Sequence, residues 1–100
     1  MNIEKLNKME NSLDKSITKL KEFEKKLSEY ESIQKDIKNI SDYYGSEEWF
    51  SLLDEYEKGN LKDIKAGILS EDSAYDLIID NKELAIKMLE IATKVLKEGY

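Results

Sequence analysis

The chain has 100 residues, of which 38% are charged and 40% hydrophobic, and its formal net charge at pH 7 is −6. It contains no Cys, His, Arg or Pro. These absences exclude a disulfide framework, a thiolate nucleophile, a histidine general base and two-point arginine recognition of phosphate. Because no apolar run approaches ~18 residues, we expect a cytoplasmic protein that does not enter a membrane.

Apolar residues in the first forty positions recur every three or four residues, which predicts one long helix from about Ile3 to about Asp42. Such a helix would be roughly 60 Å long at ~1.5 Å per residue. The alternation of three and four is typical of a coiled-coil seam. Four leucines spaced seven apart mark this seam: Leu6, Leu13, Leu20 and Leu27. We expect a homodimer or a partner helix along the seam, with a closed monomeric bundle as the alternative.

Four of the nine aromatic residues, including the only Trp, fall within the stretch 43–50, Tyr-Tyr-Gly-Ser-Glu-Glu-Trp-Phe. One interpretation is that Trp49 and Phe50 are buried where the first helix meets the second, with Gly45 supplying a positive φ. The other is that Tyr43 or Tyr44 remains exposed and anchors a partner, since aromatic residues dominate interface energetics.

The remaining sequence predicts shorter helices and no β-strand, so the fold class is all-α, a single domain of residues 1–100 with shorter helices folded back on the long one. Ser46 is placed as the N-cap of a helix over about 47–58, which ends at Gly59. Residues 61–67 form a turn or one short helix. Two further helices are predicted over about 71–79 and 82–98, because residues 80–83 have capping-box spacing and indicate a kink or a new helix.

The negative charge is concentrated in residues 43–81, which hold ten acidic residues and three Lys. A surface of this kind repels nucleic acid and anionic membranes, so we expect no direct nucleic-acid binding, and it would attract a basic protein partner. The alternative is that the acidic residues serve only solubility.

Carboxylates in this segment also raise the question of a metal site. Asp72, Asp76 and Asp80 recur every four residues, and Glu47 and Glu48 lie at another predicted helix start. Magnesium enzymes that hydrolyse nucleotides use carboxylates on facing helices. First-turn interactions with the helix dipole explain Glu47 and Glu48 better, and a solvated helix face explains the aspartates. We therefore expect no catalytic residue, no metal and no cofactor.

Three blocks of the sequence carry a resemblance to a known family: the aromatic stretch 43–50, Gly67-Ile-Leu-Ser-Glu-Asp-Ser-Ala-Tyr-Asp-Leu77, and Glu83-Leu-Ala-Ile-Lys-Met-Leu89. With the amphipathic first helix, the chain resembles a small bacterial family of unknown function, number 4298. Members of that family often have a Pro in the linker, which here reads Gly59-Asn60-Leu61-Lys62. The resemblance implies a compact helical domain and no substrate, cofactor or catalytic residue.

The favoured hypothesis is a small non-enzymatic helical protein that acts by protein contact, as an interaction or regulatory protein. The alternative is an acidic inhibitor that imitates nucleic acid and occupies a basic groove on a host or defence enzyme. A magnesium-dependent nucleotide hydrolase is a distant third. The possible partner-binding residues are Tyr43, Tyr44, Glu47, Glu48, Asp72 and Asp76.

Overall fold

The computed structural model describes every residue from Met1 to Tyr100 and contains only helices and turns. This confirms the predicted all-α fold, with a long N-terminal helix followed by shorter helices. None of its helices combines the length and the apolar character needed to cross a lipid bilayer. The elements in chain order are α1 (Ile3–Tyr43), α2 (Glu47–Glu57), the 3₁₀ helix η1 (Gly67–Leu69) and α3 (Glu71–Glu98).

Backbone contacts divide the chain into two compact units, Met1–Lys35 and Asp36–Tyr100. The first unit is almost entirely one helical segment of α1 and contains no buried residue. The second unit holds the last turns of α1 together with α2, η1 and α3. All four buried residues lie in the second unit: Ile37, Trp49, Leu69 and Ala74.

The helix α1 begins at a capped end and keeps its apolar stripe in solvent over the first unit. The side chain of Asn2 accepts a hydrogen bond from the backbone N–H of Lys5 at 2.9 Å, which satisfies one of the free donors of the first turn. The four seam leucines are between 40% and 70% exposed. The seam predicted from the sequence is therefore uncovered in the single chain.

The turn between α1 and α2 depends on one glycine and one serine. Gly45 has φ of 79°, the left-handed conformation in which Gly pays no steric penalty. Ser46 follows with extended backbone angles, and its Oγ accepts a hydrogen bond from the N–H of Trp49 at 3.1 Å. The predicted N-cap is confirmed, and the cap fixes where α2 begins.

The connection from α2 to α3 is built from a left-handed glycine and a second serine cap. Gly59 has φ of 80° and ends the α2 region, as predicted. Residues 61–63 form a turn, the first of the two alternatives expected over 61–67, and the short helix η1 follows at Gly67–Leu69. The Oγ of Ser70 accepts from the N–H of Ser73 at 3.3 Å and begins α3.

The interruption predicted at residues 80–83 is wrong, because α3 continues unbroken from Glu71 to Glu98. Neither Gly nor Pro stands in this stretch, and Lys, Glu, Leu and Ala are good helix formers. The half-buried residues Leu77, Ile78, Asn81 and Met88 also share one side of a continuous helix, a spacing that a break would interrupt. The helix-forming residues and the shared half-buried side of α3 therefore outweigh the capping-box spacing at residues 80–83.

We predict that Gly45→Ala destabilises the protein by about 1–2 kcal/mol, because a Cβ is strained in the left-handed region. No atom lies within 4 Å of the position that this Cβ would take, so strain alone sets the cost. Gly67→Ala is the matched control, since its Cβ also meets open space and its φ is not left-handed. Urea unfolding checks both, and equal effects of the two variants would contradict the role given to Gly45.

Candidate functional site

The indole ring of Trp49 is the centre of the second unit. It is only 4% exposed, and its Nε1–H donates a hydrogen bond of 2.9 Å to the carbonyl oxygen of Ile68 in η1. This bond satisfies the one polar atom of a large buried side chain. It also fixes η1 against α2, so the loop between α2 and α3 is held by a side chain rather than by backbone pairing.

Tyr44 extends this cluster toward the start of α3. Its ring stacks on that of Trp49, with centroids 5.0 Å apart and planes inclined by 23°. Its hydroxyl donates a hydrogen bond of 3.2 Å to the carbonyl oxygen of Glu71. Tyr44 is half-buried, so the residue serves the turn structurally and still presents part of its ring to solvent.

Phe50 corrects one sequence expectation. It was predicted to be buried with Trp49 at the corner, but 58% of the residue is exposed. It meets the Trp49 ring edge-on, with centroids 5.0 Å apart at an interplanar angle of 81°. Consecutive residues on a helix point about 100° apart, so when Trp49 faces η1 its neighbour cannot do the same.

A cleft of about 470 Å³ opens beside these rings. Its volume lies within the range of ~300–1,000 Å³ that is usual for ligand sites. Aromatic and aliphatic side chains form most of its wall, and two acidic residues complete it. The lining residues are Tyr44, Gly45, Trp49, Phe50, Leu53, Tyr56, Glu57, Leu69 and Glu71.

The charge around the cleft is negative. Glu57 and Glu71 belong to its lining, and both residues are exposed. The nearest Lys in sequence, Lys58, is paired with Asp54 by a hydrogen bond of 2.8 Å. That hydrogen bond, with the charges of Asp54 and Glu55, raises the pKa of the Lys58 ammonium above its usual value. A ligand in the cleft therefore meets apolar rings flanked by carboxylates.

The residues proposed from the sequence as partner contacts are only partly brought together at this cleft. Tyr44 lines it, whereas Tyr43 is half-buried and does not. Glu47 and Glu48 are exposed in the first turn of α2. Asp72 and Asp76 are exposed one helical turn apart on α3, and neither belongs to the lining.

Sequence reasoning missed Leu53, Tyr56, Glu57 and Glu71 as parts of the site. Leu53 follows Phe50 by three residues, and Tyr56 and Glu57 follow Leu53 by three and four. Residues with this spacing share one face of a helix, so the exposure of Phe50 would have indicated the other three. Glu71 carries no such signal, since only the hydrogen bond from Tyr44 places it there.

No group of three or more acidic side chains lies close enough together to hold a metal ion. Asp72, Asp76 and Asp80 follow one another along α3 and are not joined by the carboxylates of α2 into such a group. A magnesium site of the kind considered from the sequence would need oxygen ligands converging from more than one helix. The arrangement of carboxylates lends no support to a metal-dependent hydrolase.

Comparison with protein families gives a match to the model described as domain of unknown function (DUF4298), over residues 6–91. The chain belongs to the DUF4298 family. The matched region includes the aromatic turn, η1 and most of α3, and it confirms the resemblance found in the sequence. Neither the curated proteins nor the solved structures provided a significant match.

We predict that Trp49→Ala lowers the free energy of unfolding by about 3–5 kcal/mol, because it removes a buried aromatic ring and leaves the Ile68 carbonyl without its donor. Phe50→Ala is the control on the same helix and should cost about 1 kcal/mol, since it loses only an edge contact. Thermal or urea unfolding followed by circular dichroism measures both. A Trp49 variant as stable as the parent would show that the second unit does not depend on this ring.

Proposed function

We propose that this DUF4298 protein is a non-enzymatic interaction protein that binds a basic, partly apolar segment of another protein. The observation that carries the proposal is the cleft beside α2, where the exposed rings of Phe50 and Tyr56 stand next to the carboxylates of Glu57 and Glu71. Aromatic side chains in such positions anchor protein partners. The cleft lies in the segment 43–81, where the net negative charge of the chain is concentrated, with ten acidic residues against three Lys.

The exposure of the two rings supports binding rather than folding as their role. Phe50 is 58% exposed and Tyr56 is 48% exposed, so neither is needed to fill the core. Trp49 and Leu69, which are buried, form the floor on which they stand. Contact groups that are already in place before a partner arrives lower the ordering cost of binding, which favours affinity.

The chemistry of the partner follows from the surrounding charge. A segment carrying Lys or Arg beside a Leu, Ile or Phe would place its apolar side chain against the rings and its cations near Glu57 and Glu71. Nucleic acid is disfavoured, because phosphates would approach carboxylates in a segment with ten acidic residues and three Lys. Acidic peptides are disfavoured for the same reason.

Selection from a random peptide library displayed on phage tests the partner chemistry directly. We expect the selected peptides to combine basic residues with one or two apolar anchors. Enrichment of acidic or purely polar peptides would contradict the proposal. The selected peptide then serves as the probe in the measurements below.

We predict that Phe50→Ala with Tyr56→Ala weakens binding of that peptide by roughly thirtyfold or more, the loss usual for interface anchors at ~2 kcal/mol. Tyr100→Ala is the matched control, because Tyr100 is 75% exposed and lies outside the cleft. Isothermal titration calorimetry measures the affinities. Equal binding by the double variant and the control would place the partner surface elsewhere.

We also predict that peptide binding weakens as salt concentration rises, because screening reduces the attraction of exposed carboxylates for the peptide cations. Glu57→Gln with Glu71→Gln should make this salt dependence shallower, whereas Glu47→Gln with Glu48→Gln, outside the cleft, should change it less. Binding that is the same at low and high ionic strength would remove electrostatics from the interaction.

A second candidate function, imitation of nucleic acid, has support from one feature. Asp72, Asp76 and Asp80 are exposed and follow one another at ~6 Å intervals along α3, which forms a short row of negative charges. Inhibition of a basic nucleic-acid enzyme by this route should depend on the three aspartates and not on Phe50 or Tyr56. Substituting the three with Asn, beside the cleft double variant, separates the two functions.

A further inference from the structure

The surface of α1 within the first unit carries a pattern of charge that the cleft does not use. With Leu6, Leu13, Leu20 and Leu27 at the a positions of a heptad repeat, the d positions are Met9, Ser16, Phe23 and Tyr30. Three of these four d side chains are aromatic or thioether groups. From Leu6 to Tyr30 the repeat covers about three and a half heptads, enough for a coiled coil.

Each flank of this stripe has its own sign of charge. The g positions that precede each a residue are Lys5, Ser12, Lys19 and Lys26, and the e positions that follow each d residue are Glu10, Ile17, Glu24 and Glu31. All six charged residues are exposed. One edge of the stripe is therefore basic, and the other edge is acidic.

In a parallel two-stranded coiled coil, the g residue of one helix meets the e residue five positions later on its partner. Every charged pair made by this rule joins opposite signs: Lys5 with Glu10, Lys19 with Glu24, and Lys26 with Glu31 of the second copy. An antiparallel pair would instead bring g to g and e to e, which sets Lys against Lys and Glu against Glu. The charges thus favour one orientation.

We propose that the protein self-associates as a parallel, in-register dimer through residues 6–30 of α1. A second copy of the same helix covers the exposed seam, because the basic edge of each copy lies against the acidic edge of the other. The apolar side chains that solvent reaches in the single chain, Leu20 at 70% and Phe23 at 54%, become the buried centre of the dimer.

The ion pairs already present on α1 do not oppose this arrangement. Lys19 contacts Glu22 at 3.3 Å and Lys26 contacts Glu29 at 3.1 Å, both within the same helix. All four side chains are more than half exposed, and ion pairs of this kind contribute little. The two lysines are free to turn toward the e-position glutamates of a second copy.

Sedimentation equilibrium of the full chain at micromolar concentration tests the association. We expect a mass twice that of the 11.7 kDa chain. The triple variant Glu10→Lys, Glu24→Lys, Glu31→Lys should self-associate at least roughly tenfold more weakly, since all charged edge pairs become repulsive. The control variant Asp14→Lys, Glu22→Lys, Glu29→Lys changes net charge equally on the outer side of the helix and should remain dimeric.

A rescue variant keeps the test independent of folding defects. Adding Lys5→Glu, Lys19→Glu and Lys26→Glu to the edge triple exchanges the two flanks and restores opposite signs, so the dimer should return. Circular dichroism confirms helix content throughout. A parent mass of one chain or of three chains overturns the proposal, and so does equal weakening by the edge and outer triples.

Orientation is tested with single cysteines, which the natural chain lacks. In a parallel dimer Met9→Cys places the two new thiols next to each other, and mild oxidation should link most of the protein covalently. In an antiparallel pair centred on this repeat they would be ~27 Å apart, too far for a disulfide. Asn11→Cys, on the outer side, is the control. A dimer that does not cross-link through position 9 overturns the parallel assignment and leaves the cleft function untouched.

Discussion

The second unit depends on the hydrogen bond from the Trp49 indole to the Ile68 carbonyl, with the stacked Tyr44 ring beside it. The short helix η1 contacts both α2 and α3, and this bond fixes its position. The other backbone hydrogen bonds of the connection after Gly59 are local turn bonds, and the buried Leu69 adds apolar contact. Because the same ring forms the floor of the cleft, the interaction that stabilises this unit also shapes its candidate binding surface.

The small number of buried residues explains why so much apolar surface remains available. Four residues are buried, all in the second unit, whereas large apolar residues are exposed along α1, α2 and α3. Scattered exposed apolar residues are normal on protein surfaces, but a continuous helical stripe usually marks a contact with another chain. The chain therefore carries two separate surfaces of different chemistry, an aromatic and acidic cleft on α2 and an apolar seam with oppositely charged edges on α1.

These two surfaces make different demands on a partner. At the cleft, exposed rings lie beside buried Trp49 and Leu69, and carboxylates would favour basic groups on a partner. Along the seam, the apolar stripe supplies contact area, while the Lys and Glu edges determine which helix orientation is compatible. The proposed binding at the cleft and the proposed self-association through α1 involve residues from different units of the chain, so mutations can test each proposal separately.

Local features of this protein were predictable because short-range physics determines them. The 3.6-residue periodicity from Ile3 onward predicted α1 almost to its last residue, and the serines at 46 and 70 marked the starts of α2 and α3. Gly45 and Gly59 adopt the left-handed conformations that their positions indicated. The burial of Trp49 followed from its place at the turn, and the uncovered leucines followed from the length of the stripe.

Local signals did not determine the continuity of α3, which aromatic ring is buried, or which residues share the cleft. A capping-box spacing at Asp80 predicted a break, but α3 continues through it because the stretch contains good helix formers and no Gly or Pro. The sequence did not distinguish Trp49 from Phe50 as the buried ring, since both are large and adjacent. In the structure Trp49 is buried, and its indole N–H donates a hydrogen bond to the carbonyl of Ile68, nineteen residues later. A second long-range bond, from the Tyr44 hydroxyl to the Glu71 carbonyl, brings Glu71 to the cleft. Periodicity and capping determine where helices begin and end, whereas the residues that share a site depend on contacts between parts of the chain that no local pattern relates.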